Sequence, residues 1–326
     1  MDTTSKLLAE LKANPGSWIS GEHLSTRLSV SRSAINKHIR KLKQMGYTVS
    51  AAPRRGYCLE TAPDLLLPGE VKEGLGTLRL GQKEIVYLHQ ADSTNTRAKE
   101  LAMKGAPEGT LVLAETQTMG RGRKGRAWHS PQGSGIYASL ILRPALPPGE
   151  APMITLVTAV AVCEAILKTT ELTPTIKWPN DILINGKKIA GILTELTMEM
   201  DAVDFIIVGV GLNVNAGKDA FSEGLAHIAT SMVIETGAQF NRASLLREYL
   251  RQMECHYDEF MSTGFAPIVR RWKELSDIIG RQVAVNMIRK SHMGVVVDVD
   301  NQGMLILEDK DGRLHRIISG DITIVD

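Results

Sequence analysis

The segment from Gly120 to Trp128 has the sequence GRGRKGRAW, which holds three glycines and four cationic side chains. Glycine lets the backbone approach a ligand closely, and four cations stay together only where something anionic neutralises them. The segment therefore predicts a loop that binds phosphate or carboxylate and is mobile when empty. Taken alone it leaves other interpretations open, because Gly/Arg-rich segments also bind RNA or stay solvated.

The flanks of this loop favour an ordered site. An apolar run at 110–115 precedes Thr116 and Gln117, and a second apolar run follows at 136–142. Both runs have the length and composition of buried strands. A loop that one sheet holds at both ends is positioned to close over a pocket, unlike a free tail.

Strands and helices alternate through the rest of the central region. The pair Asn185-Gly186 predicts a hairpin, because a type I′ turn needs positive φ at both central residues. We expect strands at 84–88, 175–177 and 205–210, with helices at 95–104 and 153–168. This order predicts a mixed sheet covered by helices, in the α/β (α+β) class. The apolar stretch Met153–Leu167 is too short and too polar to cross a bilayer, so we expect no membrane partner.

The N-terminal segment is basic. Residues 1–65 hold ten basic and five acidic side chains, whereas the whole chain carries only +2. A basic module on a neutral body usually binds nucleic acid. The alternative is a protein-docking module with a solvated basic face.

The same segment has the pattern of a winged helix-turn-helix. Ser31 should cap the third of three helices, in which Ile35, Ile39 and Leu42 recur at helical spacing. A hairpin turning at 53–56 follows. In such domains the third helix enters the major groove and the wing contacts the phosphate backbone. The candidates for base contact are Ser33, Asn36 and Lys37, and those for phosphate contact are Arg54 and Arg55.

These patterns divide the chain into four parts. We expect residues 1–65 to form the basic helical domain, 66–83 a linker rich in Pro, Gly and charge, and 84–275 the domain that holds the glycine- and arginine-rich loop. Residues 276–326 contain five short strands, which suggest a small barrel. A purely structural cap is the alternative role for that barrel.

Polar groups follow several of the predicted strands. Ser93 and its neighbours Thr94 and Asn95 could cap a helix or bind a small polar ligand. Lys177–Asp181 combines a lysine, an amide and a carboxylate, which suits phosphate and magnesium. Gly209-Val210-Gly211 could serve strand packing or form a wall for a flat apolar ligand.

Five spaced motifs together resemble those of the biotin–protein ligases. They are Ser93-Thr94-Asn95, the Gln117–Arg123 loop with Trp128, Lys177–Asp181, Lys188–Gly191 and Gly209–Asn213. With the winged helix, the chain is similar over essentially its whole length to the bifunctional bacterial members that also repress transcription. The resemblance implies a class II synthetase-like ligase domain and a C-terminal SH3-like barrel. Residues 215–229 match the pattern only loosely.

The resemblance implies a two-step reaction and a regulatory cycle. Biotin and ATP with Mg2+ give biotinyl-5′-adenylate and pyrophosphate, and a lysine of the biotin carboxyl carrier protein of acetyl-CoA carboxylase then attacks the adenylate. The adenylate is the corepressor, and the adenylate-bound homodimer binds operator DNA of the biotin synthesis genes. A metabolite-sensing repressor without ligase activity is the alternative. The odd number of scattered cysteines suggests a cytoplasmic protein.

The resemblance also assigns roles to individual residues. Catalysis falls to Arg121, Arg123, Lys177 and Lys188. Biotin is expected to contact Ser93, Thr94, Asn95, Gln117, Gly120, Arg121, Arg123, Lys188, Gly191, Gly209 and Gly211. ATP and the adenylate are expected to contact Arg123, Arg126, Trp128, Asn180 and Asn213, and Asp181 is the candidate magnesium ligand.

Overall fold

The protein is described from a computed structural model that covers residues 3–287 and 290–325. It divides into two compact units. The first ends at Asp64 and the second begins at Leu65, close to the end predicted for the DNA-binding segment. The limits predicted between the catalytic and C-terminal domains remain predictions.

The smaller unit is a three-helix fold with a two-stranded wing. Its elements are α1 Thr3–Lys12, α2 Gly21–Leu28, α3 Arg32–Gln44, β1 Thr48–Ala52 and β2 Gly56–Thr61. The Ser31 hydroxyl accepts a hydrogen bond from the Ala34 amide at the start of α3, as predicted. Ile35, Ile39 and Leu42 are buried, which leaves the basic face of α3 in solvent.

A close backbone approach at Gly56 holds the wing against the helices. Tyr57 and Ile19 exchange two backbone hydrogen bonds, at 2.8 and 2.9 Å. Gly56 has φ +98°, and a Cβ there would lie 2.0 Å from the carbonyl oxygen of Ile19. Only glycine fits this position without displacing the backbone.

The larger unit is built on a seven-stranded mixed sheet. Its strands are β3 Ile85–Leu88, β4 Leu111–Ala114, β5 Gly135–Leu142, β6 Thr175–Lys177, β7 Asp181–Ile184, β8 Lys187–Glu199 and β9 Ala202–Asn213. Their order is β3-β4-β5-β9-β8-β7-β6, and only β3 and β4 pair in parallel. Asn185 and Gly186 both have positive φ between β7 and β8, so the predicted hairpin is confirmed.

Helices cover this sheet. They are α4 Pro68–Lys72, α5 Thr94–Met103, α6 Met153–Thr169, α7 Glu223–Ala226, α8 Met232–Thr236, α9 Arg242–Thr263 and α10 Ala266–Glu274. We predicted Met153–Leu167 to be too short and too polar to span a membrane, but the longer stretch Pro148–Thr169 is long and apolar enough by length and composition. However, 72% of its most apolar window is buried inside the protein. It packs against α9 as a core helix.

The segment predicted as a linker differs from that prediction. Leu66, Val71, Leu75 and Leu80 are buried in the main core of the larger unit. The Leu78, Arg79 and Leu80 amides all donate to the Glu254 carboxylate of α9. Pro, Gly and charge suggested a flexible connector, but the leucines spaced between them bury apolar area.

The C-terminal residues form an antiparallel five-stranded sheet, and all five predicted strands are present. They are β10 Gln282–Asn286, β11 Ser291–Val299, β12 Leu305–Glu308, β13 Leu314–Ile317 and β14 Asp321–Ile324, in the order β13-β12-β11-β10-β14. Val283 and Val285 belong to the same hydrophobic core as the seven-stranded sheet. The buried Trp178 indole also donates to the Gly303 carbonyl at 3.1 Å. This sheet is therefore fixed beside the region that follows β6.

The wing provides a test of the smaller unit. The smaller unit should melt at a much lower temperature in the Gly56→Ala variant than in the Gly16→Ala variant. An added Cβ at Gly56 meets backbone, whereas one at Gly16 has no described atom within 4 Å. Both positions have positive φ, so Gly16→Ala measures the left-handed strain alone, about 1 kcal/mol. Circular dichroism melts of the two variants check this. Equal melting temperatures would contradict the close approach.

Candidate active site

A cavity of about 430 Å³ lies at one end of the large sheet. Every residue predicted from the sequence to contact biotin, ATP or magnesium lines it, except Gly120. Gly120 lies behind the wall, where a Cβ would come within 2.4 Å of the Trp128 carbonyl oxygen. Five motifs that are far apart in the sequence therefore meet in one cavity.

One end of the cavity is polar and prearranged by hydrogen bonds. Gln117 Oε1 accepts from the Thr94 amide at 2.8 Å, and Gln117 Nε2 donates to Ser130 Oγ at 2.9 Å. The buried Ser139 hydroxyl lies within hydrogen-bond distance of both Thr94 Oγ1 and Asn95 Oδ1. Ser139 was not predicted, because it is a single serine inside an apolar strand.

The Ser93 side chain does not cap its helix. Ser93 occupies the N-cap position of α5 with extended backbone, but its hydroxyl makes no capping hydrogen bond. The residue is 3% exposed and lines the cavity. Of the two interpretations open from the sequence, capping is therefore wrong for Ser93.

The glycine- and arginine-rich segment is folded into a hairpin. The Gly122 amide donates to the Arg126 carbonyl at 2.7 Å, and the Trp128 amide donates to the Gly120 carbonyl at 2.8 Å. A single 3-10 turn, Arg123–Gly125, closes the end of this hairpin. The segment expected to need a ligand for order thus has internal hydrogen bonds of its own.

The protein's own carboxylates offset part of the charge on this hairpin. Lys124 Nζ and Arg126 Nη2 lie 3.1 and 2.5 Å from Asp321 Oδ2, at the start of β14. Arg121 Nη2 lies 3.4 Å from Glu195 Oε2. Partial burial would raise the pKa of Asp321, but hydrogen bonds from Lys124 and Arg126 outweigh it and hold that pKa below its ordinary value.

Arg123 differs from the other three cations. Its Nη1 donates to two neutral oxygens, Asn180 Oδ1 at 3.0 Å and the Gly320 carbonyl at 3.5 Å. Burial lowers the pKa of the Arg123 guanidinium, although an arginine stays protonated at neutral pH. A half-buried cation whose hydrogen-bond partners are neutral retains strong attraction for an incoming anion.

Trp128 covers the glycine wall of the cavity. A Cβ at Gly211 would lie 2.4 Å from the indole, and one at Gly191 would lie 3.0 Å from it. Lys188 Nζ sits 5.3 Å from the centre of the Trp128 ring and 2.7 Å from Asp181 Oδ1. The indole Nε1 is buried and has no hydrogen-bond partner among the residues that the structure describes. The two glycines leave room for a large flat side chain against the sheet.

The two predicted asparagines hold backbone beside the cavity. Asn180 Nδ2 donates to the Ile192 carbonyl at 2.9 Å, and Asn213 Nδ2 donates to the Thr230 carbonyl at 3.0 Å. Asn180 also orients Arg123 through its Oδ1. Each amide therefore joins the end of a strand to a neighbouring segment of the wall.

A further wall segment was not predicted. Phe221, Leu225 and Ile228 line the cavity, and Ile228 accepts a hydrogen bond from the Lys188 amide at 2.8 Å. The signal was their helical spacing of four and then three residues, with Leu225 in α7. Glycines and charges in the same stretch concealed it. His129, His227 and Asp321 also line the cavity without having been predicted.

The predicted DNA-contact residues are all exposed in the smaller unit. Ser33, Asn36 and Lys37 are exposed on α3, and Tyr57 of the wing donates to Asn36 Oδ1 at 2.8 Å. Arg54 and Arg55 are exposed at the tip of the wing. The Arg55 guanidinium lies 4.6 Å from the centre of the Trp18 ring. These contacts fix the helix and the wing relative to each other.

Comparison with protein families identifies both units. A family model described as "Biotin/lipoate A/B protein ligase family" matches residues 87–213, and one for the biotin protein ligase C-terminal domain matches 278–325. A helix-turn-helix model matches residues 3–58. The chain is also 42% identical to the bifunctional ligase/repressor BirA of Bacillus spizizenii, over 99% of each chain.

The chain belongs to the biotin protein ligase family. Because it also carries the DNA-binding unit, it is a bifunctional ligase and repressor. It is 34% identical to the BirA protein of Escherichia coli, over 98% of this chain and 96% of that one. The solved biotin protein ligase from Aquifex aeolicus in complex with biotin and ATP matches 74% of this chain and 99% of its own, with 29% identity and a TM-score of 0.64. The fold class predicted from the sequence is confirmed.

The glycine wall of this ligase offers a direct test. Gly211→Ala should weaken biotin binding by roughly tenfold to a hundredfold, because the new methyl group collides with the Trp128 indole and overpacking costs about 1–3 kcal/mol. Gly217→Ala, with nothing within 4 Å of the new Cβ, is the matched control. Isothermal titration with biotin measures both. Equal affinities would show that the indole does not rest on this wall during binding.

Proposed function

We propose that this ligase activates biotin with ATP and transfers it to a lysine of the biotin carboxyl carrier protein of acetyl-CoA carboxylase. The strongest support for this proposal is that one cavity combines a polar end with a cationic end. A polar, hydrogen-bonded end at Thr94 and Gln117 suits an uncharged ureido group. A cationic end at Arg123 and Lys188 suits the carboxylate and phosphates.

In the first step the biotin carboxylate attacks the α-phosphorus of ATP. A new phosphorus–oxygen bond forms while the bond to pyrophosphate breaks, which yields biotinyl-5′-adenylate. Both reactants are anions, so fixed cations at the reacting centre lower the barrier by stabilising the charge that builds up. We assign that role to Arg123 and Lys188, with Arg121 and Gln117 holding the biotin end and Arg126 the phosphates.

In the second step the carrier lysine attacks the acyl carbon of the adenylate. A carbon–nitrogen bond forms, the bond to the phosphate oxygen breaks, and AMP leaves while the amine loses a proton. The wall formed by Trp128, Phe221 and Leu225 is apolar. Water would be excluded there, which protects the mixed anhydride from hydrolysis. We infer that Trp128 covers the adenine and that Lys177, at the end of β6, faces the phosphates.

Mg2+ would enter with the ATP phosphates, and Asp181 remains our candidate ligand. Its Oδ1 lies 2.7 Å from Lys188 Nζ, so this carboxylate stands beside the cationic end of the cavity. One carboxylate with phosphate oxygens is a donor set that Mg2+ commonly uses. Bound there, the metal would neutralise phosphate charge. The three cysteines are free, which suits the reducing cytoplasm in which we place the reaction.

The ligase assignment is tested at two cations. Lys188→Ala and Arg123→Ala should each slow biotin-dependent pyrophosphate release by about 10²–10³, the usual cost of losing one such donor. Lys187→Ala, one residue away on the exposed hairpin, removes the same charge outside the cavity and should retain the wild-type rate. Unchanged rates in both cavity variants would reject the assignment. Biotin binding by the wild-type chain without pyrophosphate release would favour a repressor without ligase activity.

We further propose that the adenylate-bound protein pairs through β8 and then binds operator DNA. Strand β7 covers β8 only at residues 187–191, whereas β9 pairs with it from 190 to 199. In the part of the chain that the structure describes, the C-terminal half of β8 thus has one edge that no other strand covers. Leu196 and Met198 are exposed there. Strand addition at such an edge supplies backbone hydrogen bonds, and a dimer presents two recognition helices to two half-sites.

The dimer proposal is tested by charge on this edge. Met198→Lys should abolish ligand-induced dimerisation and weaken operator binding at least tenfold, because two copies of the lysine would meet at a two-fold interface. Met103→Lys, at a still more exposed methionine that ends α5, is the control. Sedimentation velocity and gel shift with biotin and ATP measure the two effects. Ligase activity should persist in both, and a Met198→Lys protein that still dimerises would exclude this edge.

A further inference from the structure

A fully buried ion pair joins the two ends of the ligand-binding loop. The loop leaves the sheet after β4 at Glu115 and returns at Gly135, the first residue of β5. Arg242 Nη2 lies 2.9 Å from Glu115 Oε2, and Arg242 Nη1 donates to the Gly135 carbonyl at 2.9 Å. Both charged side chains are 0% exposed. A single guanidinium therefore bridges the points at which the loop departs and returns.

The two ends of the loop are also bonded to each other. The Gly133 amide donates to the Glu115 carbonyl at 3.2 Å, and Thr116 Oγ1 donates to the Ser130 carbonyl at 2.8 Å. The second carboxylate oxygen of Glu115 accepts from the Leu66 amide at 3.0 Å. Glu115 thus ties the loop to Arg242 and to the segment that precedes α4.

Arg242 supplies a rigid base for these contacts. It is the first residue of α9, a 22-residue helix whose N-cap residue Asn241 accepts a hydrogen bond from the Ser244 amide at 2.7 Å. This helix packs against the core helix α6. The planar guanidinium reaches both partners at once, through a hydrogen bond to Gly135 and an ion-pair contact with Glu115, whereas a lysine ammonium is a single point charge on a flexible stem.

We propose that Arg242 and Glu115 are positioning residues for the ligase reaction. Neither lines the cavity, but Gln117 lies two residues after Glu115, and the hairpin with Arg121 and Arg123 follows. By holding both ends of the loop, the ion pair sets where these side chains meet the substrates. The inference rests on the proposed role of the loop in binding biotin and ATP.

The main test uses Arg242→Lys, which keeps the charge beside Glu115 but not the two-pronged contact. It should raise the KM for biotin at least tenfold, with a smaller effect on kcat. It should also speed protease cleavage between Gly120 and Trp128, and biotin should no longer slow that cleavage. Arg271→Lys is the matched control, because Arg271 Nε makes a 2.6 Å ion pair with Glu164 between two helices away from the loop. The control should retain the wild-type KM and cleavage pattern.

A second variant separates positioning from stability. Replacing a buried ion pair by neutral side chains of similar size often leaves the fold as stable as before, so we expect Glu115→Gln with Arg242→Met to fold. The glutamine keeps an acceptor for the Leu66 amide. This double variant should melt near the wild-type temperature and still show the raised KM and the faster cleavage.

The outcomes distinguish the inference from the function on which it rests. Wild-type KM and cleavage in a folded Arg242→Lys protein, or in the folded double variant, would overturn the positioning role. If the wild-type chain does not ligate biotin, the proposed function fails. In that case, protease cleavage of the empty loop still tests the positioning role of the Arg242–Glu115 ion pair. Faster cleavage in Arg242→Lys than in Arg271→Lys would support that role.

Discussion

Repulsion among Arg121, Arg123, Lys124 and Arg126 is the constraint on which the ligand site depends. Four cations in so short a hairpin would spread apart in water unless other groups hold them. Asp321 from the C-terminal sheet and Glu195 from β8 form ion pairs with three of these cations and offset part of the repulsion. Among the four, and within the described part of the chain, only Arg123 has hydrogen-bond partners that are all neutral. The least balanced of the four charges thus lines the cavity.

This arrangement explains why the C-terminal sheet belongs with the ligase sheet. Asp321 and Gly320 come from the last strand of the chain and its preceding turn, and both contact the arginine hairpin. The Trp178 indole ties the region after β6 to Gly303 of the same small sheet. A module that the sequence left open as a structural cap therefore contributes a charged group to the cavity wall. Its role is electrostatic as well as structural.

Much of the fold could be predicted because the signals were local. Ser31 capping α3, the Asn185-Gly186 turn and the alternation of strands and helices all depend on residues close in the sequence. Most residues of the cavity could also be predicted, because each of their motifs is short and continuous in the sequence. The carboxylates that pair with the hairpin could not be predicted, because Asp321 lies 197 positions after Lys124 and sequence spacing carries no information about such a contact. The linker was misjudged because its buried leucines are irregularly spaced.

Under the function proposed above, the anionic substrates would neutralise the charge that Asp321 and Glu195 leave on the hairpin. The most direct measurement is hydrogen exchange of the Gly122 and Trp128 amides, which close the hairpin, in the wild-type protein alone, with biotin, and with biotin plus ATP. We predict measurable protection in the empty protein and a further slowing of at least tenfold with both substrates. Exchange that is the same in all three conditions would contradict the account.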